Sequence, residues 1–171
     1  ARGLAEKLRA HGARNPKYIP NAAEDSVFDA YQQYRRPADY PRGYRRTLLY
    51  FGSMYGDWFG WEYLKAAAQK NRKDAFVMIG APPRTHAMPE NVIFLGPKQN
   101  SELPAYLAHA DAAILPFLPG PISDAVSPIK AFEYLFLKKP VVSTCMPELE
   151  GYPHVYQAES PQDFAQLCDL V

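Results

Sequence analysis

Lys130 and Glu133 stand three residues apart in the segment Ser127–Leu137, SPIKAFEYLFL. On a helix with a ~3.6-residue turn that spacing is about 60°, so the two charges share a face. Ser127 is a natural N-cap, and Pro128 suits the first helical position, where a missing N–H leaves nothing unpaired. The free amides and positive end of such a helix favour an anion, typically by ~0.3–1 kcal/mol. A lysine in that first turn is locally unfavourable, and an anion nearby would explain it. A glutamate beside the carboxyl edge of a sheet could accept both hydroxyls of a ribose. Residue types and spacing thus describe a phosphate-and-ribose chemistry. They fit an ordinary i,i+3 surface pair equally well.

Other residues suggest weaker chemistry. His86 lies in a strand-end loop, where an acid or base role competes with simple solvation. Cys145 follows a strand end, but no histidine near it in sequence supports a nucleophile. The stretch 31–46, YQQYRRPADYPRGYRR, carries five arginines and four tyrosines. Interleaved basic and aromatic residues suit single-stranded nucleic acid or an anionic membrane surface. A solvated loop crossing between domains is the favoured reading, and nucleic acid is not expected as a partner. Trp58 and Trp61 flank a glycine loop; Trp61 reads as core and Trp58 as a cleft wall.

The elements that must position these residues follow from periodicity. The segments 47–51, 75–79, 92–95 and 112–116 are continuous apolar runs of the kind buried on both faces of a sheet. Further strands are expected at 141–143 and 154–156. Between them, helical patterns occupy 61–70, 101–110, 127–137 and 161–170, the second opened by an Asn100 or Ser101 cap and the last by Ser160-Pro161. A first helix covers 2–12, ended by Gly12. Alternation with short connections predicts an α/β fold: a doubly wound, Rossmann-like parallel sheet of about six strands with helices on both faces. Ligands of such sheets bind beyond the carboxyl ends of the strands. Residues 1–46 read as a helix, a strand step and an Arg/Tyr-rich loop on the interdomain side; 47–171 read as the binding domain proper.

With 171 residues, 47% hydrophobic and 22% charged, the chain has the composition of one globular domain. A net charge of +1 favours no polyelectrolyte partner. Two cysteines without metal-ligand spacing suggest a reducing compartment. No run approaches the roughly 20 apolar residues of a membrane span. The chain begins at Ala1, directly in helical sequence, and is read as a fragment of a longer protein.

SPIKAFEYLFLKKPVV resembles the "SP-x-K-x-x-E-Y-x-x-x-x-K-P-V-V" segment of retaining glycosyltransferases of family 4, which have the GT-B fold. YIPNAAEDSVF is similar to their interdomain "PNG-x-D-x-x-F" step. LLYFGSMYGDWFGWEYL is similar to the first strand and glycine loop of the donor domain. PENVIFLGPKQNSELPAYLAHADAAILPF is similar to the "NV-x-F-x-G … L-x-x-Y-x-x-x-A-D" block. The resemblance spans nearly the whole chain in order. It implies the C-terminal half of an enzyme that transfers a sugar from a nucleotide diphosphate sugar, UDP- or GDP-linked, to an acceptor hydroxyl with retained configuration. It implies no cofactor and no metal. The acceptor would bind to an N-terminal domain that supplies the acceptor-side residues. A fragment of this kind binds nucleotide and transfers nothing. A bacterial polysaccharide or glycoconjugate pathway, a cytoplasmic setting and peripheral contact with the inner membrane are the associated expectations.

Residue by residue, the resemblance places Glu133 on the donor ribose and Ser127, Pro128, Ile129 and Lys130 at the diphosphate. Gly52 and Ser53 face the diphosphate from the first strand, and Gly96, Pro97 and Lys98 flank the base. The chain also departs from the pattern. Many members carry a sugar-facing glutamate at the position of Ala125; here either the neighbouring Asp124 substitutes or the sugar is held otherwise. No cation follows Gly52 in Ser53-Met54-Tyr55-Gly56-Asp57-Trp58, and Asn21-Ala22 replaces Asn-Gly. A nucleotide-sugar epimerase of GT-B type and a non-catalytic nucleotide-binding module remain the alternatives.

Overall fold

The computed structural model describes residues 1–56, 58–81 and 87–171. Asp57 and His86 therefore lie outside the described residues. Six strands form one parallel sheet: β1 Thr47–Phe51, β2 Ala75–Ile79, β3 Val92–Gly96, β4 Ala112–Leu115, β5 Val141–Thr144 and β6 Val155–Ala158. Their spatial order is β3-β2-β1-β4-β5-β6. Among the described residues five α-helices accompany them: α1 Arg2–Ala10, α2 Trp61–Lys70, α3 Leu103–Ala108, α4 Ile129–Phe136 and α5 Pro161–Leu170. The expected doubly wound α/β sheet is thus the observed fold.

Burial follows position in the sheet. Every residue of β1, β2, β4 and β5 is buried, whereas the edge strands β3 and β6 are partly exposed. This is why the central strands read as unbroken apolar runs while 154–156 gave only a faint signal. Helices α2 and α5 pack on each other, with Tyr63 edge-on to Phe164 at 5.8 Å. Residues 1–46 are not a separate body: Phe28 and Tyr40 join the common core, and α1 packs on the turns at 123–125 and 147–149.

At the amino edge an ionic clasp ties the chain's end to the sheet. The buried Asp74 carboxylate accepts Arg45 Nε and Arg46 Nη2, both at 2.8 Å. Arg46 also donates to the carbonyls of Cys168 and Val171. Burial pushes the Asp74 carboxyl upward, but the two guanidinium bonds outweigh it and hold the group below its usual 3.8.

The crevice opens where the strand order reverses. β1 pairs with β2 along its whole length but with β4 only at Leu48 and Leu49. The carboxyl ends of β1 and β4 therefore separate. Tyr134 of α4 fills the gap: its hydroxyl accepts the Phe51 amide at 3.2 Å, and the two rings meet edge-on at 4.9 Å. Beyond the gap the following loops rejoin, with Gly60 N donating to Pro116 O at 2.7 Å and Leu118 N to Trp58 O at 2.8 Å.

Several local expectations are corrected. Helix α4 begins at Ile129 with Pro128 at the N-cap, φ −74° and ψ 105°. Ser127 is therefore not the cap; its hydroxyl is buried without a partner. The residue before a proline is pushed to extended backbone, and here Pro128 is itself extended, which shifts the helix start by one. In the 100–108 region the cap is Gln99, not Asn100 or Ser101. A 3₁₀ turn at Asn100–Glu102 precedes α3, and the Glu102 carboxylate accepts the Gln99 amide at 2.8 Å. The first helix ends at Ala10, before Gly12.

Candidate functional site

Two clefts lie along the carboxyl edge of the sheet. The larger, about 510 Å³, sits between the loops that follow β1 and β4. It is lined by Ser127, Pro128, Ile129, Lys130 and Glu133, together with Trp58, Phe117 and other apolar side chains. The smaller, about 320 Å³, lies beyond β1, β2 and β3 and includes Gly52, Ser53, Pro97 and Lys98.

The clefts meet at Gly52, which has φ +135°. A Cβ there would fall 2.8 Å from Lys130 Nζ and 2.9 Å from its Cε. The lysine thus lies directly against the glycine backbone. Gly80, φ +145°, is under the same constraint, because its Cβ would lie 2.2 Å from the Gly52 carbonyl oxygen. The two glycines let the ends of β1 and β2 approach each other and leave the lysine a seat.

Lys130 has no anionic partner among the described residues. It makes no salt bridge with Glu133 or any other described carboxylate. Its ammonium sits 5.4 Å from the Tyr50 ring centroid and 5.5 Å from that of Phe117. Burial pushes its pKa below 10.5, and the charge of Glu133 only partly opposes this. Glu133 shows the converse. Burial raises its carboxyl above 4.5, Lys130 pulls it back, and Glu24 adds to the rise. Each charge is driven toward neutrality by desolvation, and their separation is too large for a direct bond to relieve it. The ordinary surface pair is therefore not what forms.

The turn before α4 supplies backbone donors. Ala131 N donates inward to Pro128 O at 3.0 Å, while the amides of Ile129 and Lys130 find no carbonyl among the described residues. With the positive helix end behind them, these amides and the ammonium present the kind of donors an anion would need. Asn21 steadies the turn from the far end of the chain, its Nδ2 donating to Ser127 O at 2.8 Å. Tyr18 does the same for the loop after β5, donating to Glu148 Oε1 at 2.7 Å. Neither contact was legible in the sequence beyond the "PN" step itself.

The remaining expected residues are placed differently. Asp124 lines neither cleft; its amide donates to Gly120 O at 2.9 Å and its carbonyl packs on Gly3. Gly96 ends β3 with φ +72°, and its carbonyl accepts Gly80 N at 3.0 Å. Lys98 reaches the smaller cleft, but its ammonium is engaged by Asp39 Oδ2 at 2.6 Å, and Tyr106 donates to the other oxygen at 2.7 Å. Burial alone would raise Asp39, but these bonds keep it below 3.8. Trp58 lines the larger cleft and Trp61 is buried, as expected. Cys145 is held near the Ala158 carbonyl, and burial pushes its thiol upward, away from nucleophilic use.

Comparison with known proteins gives a consistent picture. Residues 45–169 match the family model described as glycosyl transferases group 1. Over 86 residues the chain is 38% identical to TuaH of Bacillus subtilis (strain 168), named as a glycosyltransferase of teichuronic acid biosynthesis; the match covers 47% of this chain and 22% of that protein. Among solved structures, a glycosyltransferase from Rickettsia africae ESF-5 superposes with a TM-score of 0.60 at 17% identity, over 88% of this chain and 45% of that one. AviGT4, a glycosyltransferase involved in avilamycin A biosynthesis, gives 0.56 at 19% identity, over 96% of this chain and 51% of that one. HepE of Anabaena, solved with UDP and glucose, gives 0.50 at 17% identity, over 72% and 38%. The chain thus spans about a fifth of the curated relative and between 38% and 51% of these structures.

Proposed function

The chain belongs to the glycosyl transferases group 1 family, and on that premise we propose that it holds the nucleotide diphosphate sugar of a two-domain GT-B enzyme. That enzyme transfers the sugar to an acceptor hydroxyl. The observation that carries this reading is the grouping, at the strand-order reversal, of an ammonium and two amides without partners among the described residues, beside a desolvated carboxylate. A dinucleotide-type sheet binds its ligand at that crevice.

In this reading the diphosphate lies across the Ile129 and Lys130 amides and the Lys130 ammonium, facing Gly52 and Ser53. Glu133, ionised, accepts the ribose hydroxyls. The base occupies the smaller cleft beside Pro97 and Lys98, with Asp39 fixing the lysine. As the glycosidic bond breaks, negative charge grows on the leaving diphosphate. The preset donors of the α4 turn stabilise that charge without having to reorganise. Lys130 supplies the cation absent after Gly52, so the reading needs no metal.

Retention of configuration, membership of family 4 and an acceptor-binding N-terminal partner domain follow from the resemblance of the motifs. The share of each relative that the chain covers supports the last of these. The name of TuaH supports a bacterial polysaccharide pathway, and the HepE complex supports UDP as the first nucleotide to try. No described helix is long and apolar enough to cross a membrane; the cytoplasmic setting at the inner membrane surface is proposed from the resemblance. The family is one of transferases, and this disfavours an epimerase. Calorimetric titration of UDP, GDP and ADP into the wild type and Glu133→Ala tests the reading. The expectation is that one nucleotide binds the wild type and that Glu133→Ala weakens it at least tenfold. Absence of binding, or equal binding by both proteins, would refute it. The 171-residue chain is expected to bind nucleotide without transferring sugar, which product analysis would check.

A further inference from the structure

The larger cleft has more wall than the diphosphate and ribose require. Past Lys130 and Glu133 its surface is apolar: Trp58, Phe117, Ile122, Val126 and Ile129. Trp58 and Phe117 are packed together, ring centroids 4.6 Å apart, and form a fixed aromatic floor. Ile122 is 64% exposed and Ile129 51%, so the wall stands open to a ligand.

Among the described lining residues beyond Lys130 and Glu133, the side-chain polar groups are turned away or occupied: the Ser127 hydroxyl has no partner but is buried beneath the surface. Ser123 Oγ accepts Gly120 N at 2.8 Å and donates to Gly120 O at 2.9 Å, closing its own turn. Asp124 is outside the cleft. Glu133 is the one carboxylate among the described lining residues. A hydroxyl pressed against this wall would lose its water and receive no partner in return. A methyl group there would gain by leaving water.

Resting on the donor-site reading above, we propose that the sugar carried by this cleft is a 6-deoxyhexose, with its C6 methyl group on the Trp58–Phe117–Ile122–Val126 wall. The wall sets specificity and leaves the diphosphate and ribose contacts unchanged. Discrimination is bounded by what an apolar pocket achieves against one added hydroxyl, about 10–100-fold.

The test uses matched donors that differ only at C6: GDP-rhamnose against GDP-mannose, UDP-6-deoxyglucose against UDP-glucose, and dTDP-rhamnose against its 6-hydroxy counterpart. Each is titrated by calorimetry alongside free GDP, UDP and dTDP. The expected result is a deoxy donor binding about 10–100-fold tighter than its twin. Ile122→Asn, at an exposed position, is expected to narrow that ratio while leaving the affinity for the free nucleoside diphosphate unchanged. If a free nucleotide binds but every hydroxylated twin binds as well or better, the deoxy-sugar proposal falls and the nucleotide reading stands. If a polyprenyl phosphate binds at this wall and the twin ratio is one, the wall belongs to a lipid acceptor and the proposal again falls. If no nucleotide binds, both readings fall.

Discussion

Replacing Lys130 by Met should separate stability from binding. The Met side chain keeps most of the stem and removes the ammonium. The folded chain loses two cation–π contacts, at 5.4 Å and 5.5 Å, each about 0.5–1 kcal/mol at partly exposed sites. It is also relieved of a desolvated charge that has no salt-bridge partner, which acts in the opposite direction. The expected change in unfolding free energy is therefore within about 1 kcal/mol of zero. Binding has no such compensation. A charge-assisted hydrogen bond to a phosphate contributes about 1.5–3 kcal/mol, or roughly 10–150-fold in affinity for UDP or GDP. The pH dependence gives a second signature. The folded pKa lies below 10.5, so between the two values the unfolded chain holds more protons and stability climbs with pH. Lys130→Met should lose that alkaline rise. Urea midpoints from pH 7 to 11 and calorimetry at pH 7 would measure both effects. A Met variant that binds nucleotide like the wild type, or that is destabilised by more than about 2 kcal/mol, would refute the reasoning.

Other substitutions probe the supporting structure. Gly52→Ala should lower nucleotide affinity by displacing Lys130, and should destabilise the fold by about 1–2 kcal/mol because φ is +135°; a thermal melt and a titration check both effects. Tyr134→Phe leaves the buried Phe51 amide unpaired and should cost about 1–3 kcal/mol in a urea melt. Asp74→Asn breaks the clasp on Arg45 and Arg46 and should cost roughly 3 kcal/mol at neutral pH. Because the folded Asp74 pKa is below 3.8, its contribution is complete above that value and is lost as pH falls through the folded pKa; Asp74→Asn should flatten that part of the acid limb. Glu133 runs the other way. Its raised pKa means that acidification protonates it before an ordinary glutamate, so nucleotide affinity should begin to fall above pH 4.5 in titrations at successive pH values.

The sheet was legible because its central strands are buried on both faces, which writes them as unbroken apolar runs such as Ala75–Ile79. The site was legible where it lies in one continuous stretch, as from Ser127 to Glu133. It was not legible where it depends on residues distant in sequence. The Asn21–Ser127 bond spans 106 residues and the Phe51–Tyr134 bond spans 83, and no local pattern signals either. Lys98 read only as part of the base-flanking loop, because Asp39, in an irregular segment 59 residues away, left no trace of its pairing. The start of α4 was misplaced by one residue because Ser-Pro satisfies the usual capping rule, whereas the observed backbone at Pro128 is extended. Of the apolar wall of the larger cleft only Trp58 was legible; Phe117, Ile122 and Val126 come from a second loop that meets it only at the strand-order reversal.

The central claim is that a nucleoside diphosphate binds in the crevice between β1 and β4. Backbone amide shifts in a ¹⁵N-labelled sample titrated with UDP and then GDP test it most directly. The account predicts the largest, saturable shifts at Gly52, Ile129 and Lys130, with smaller ones at Glu133 and Lys98. Saturable shifts centred instead on the polar depression around Tyr44, Lys65 and Arg72, or no saturable shift with either nucleotide, would contradict it.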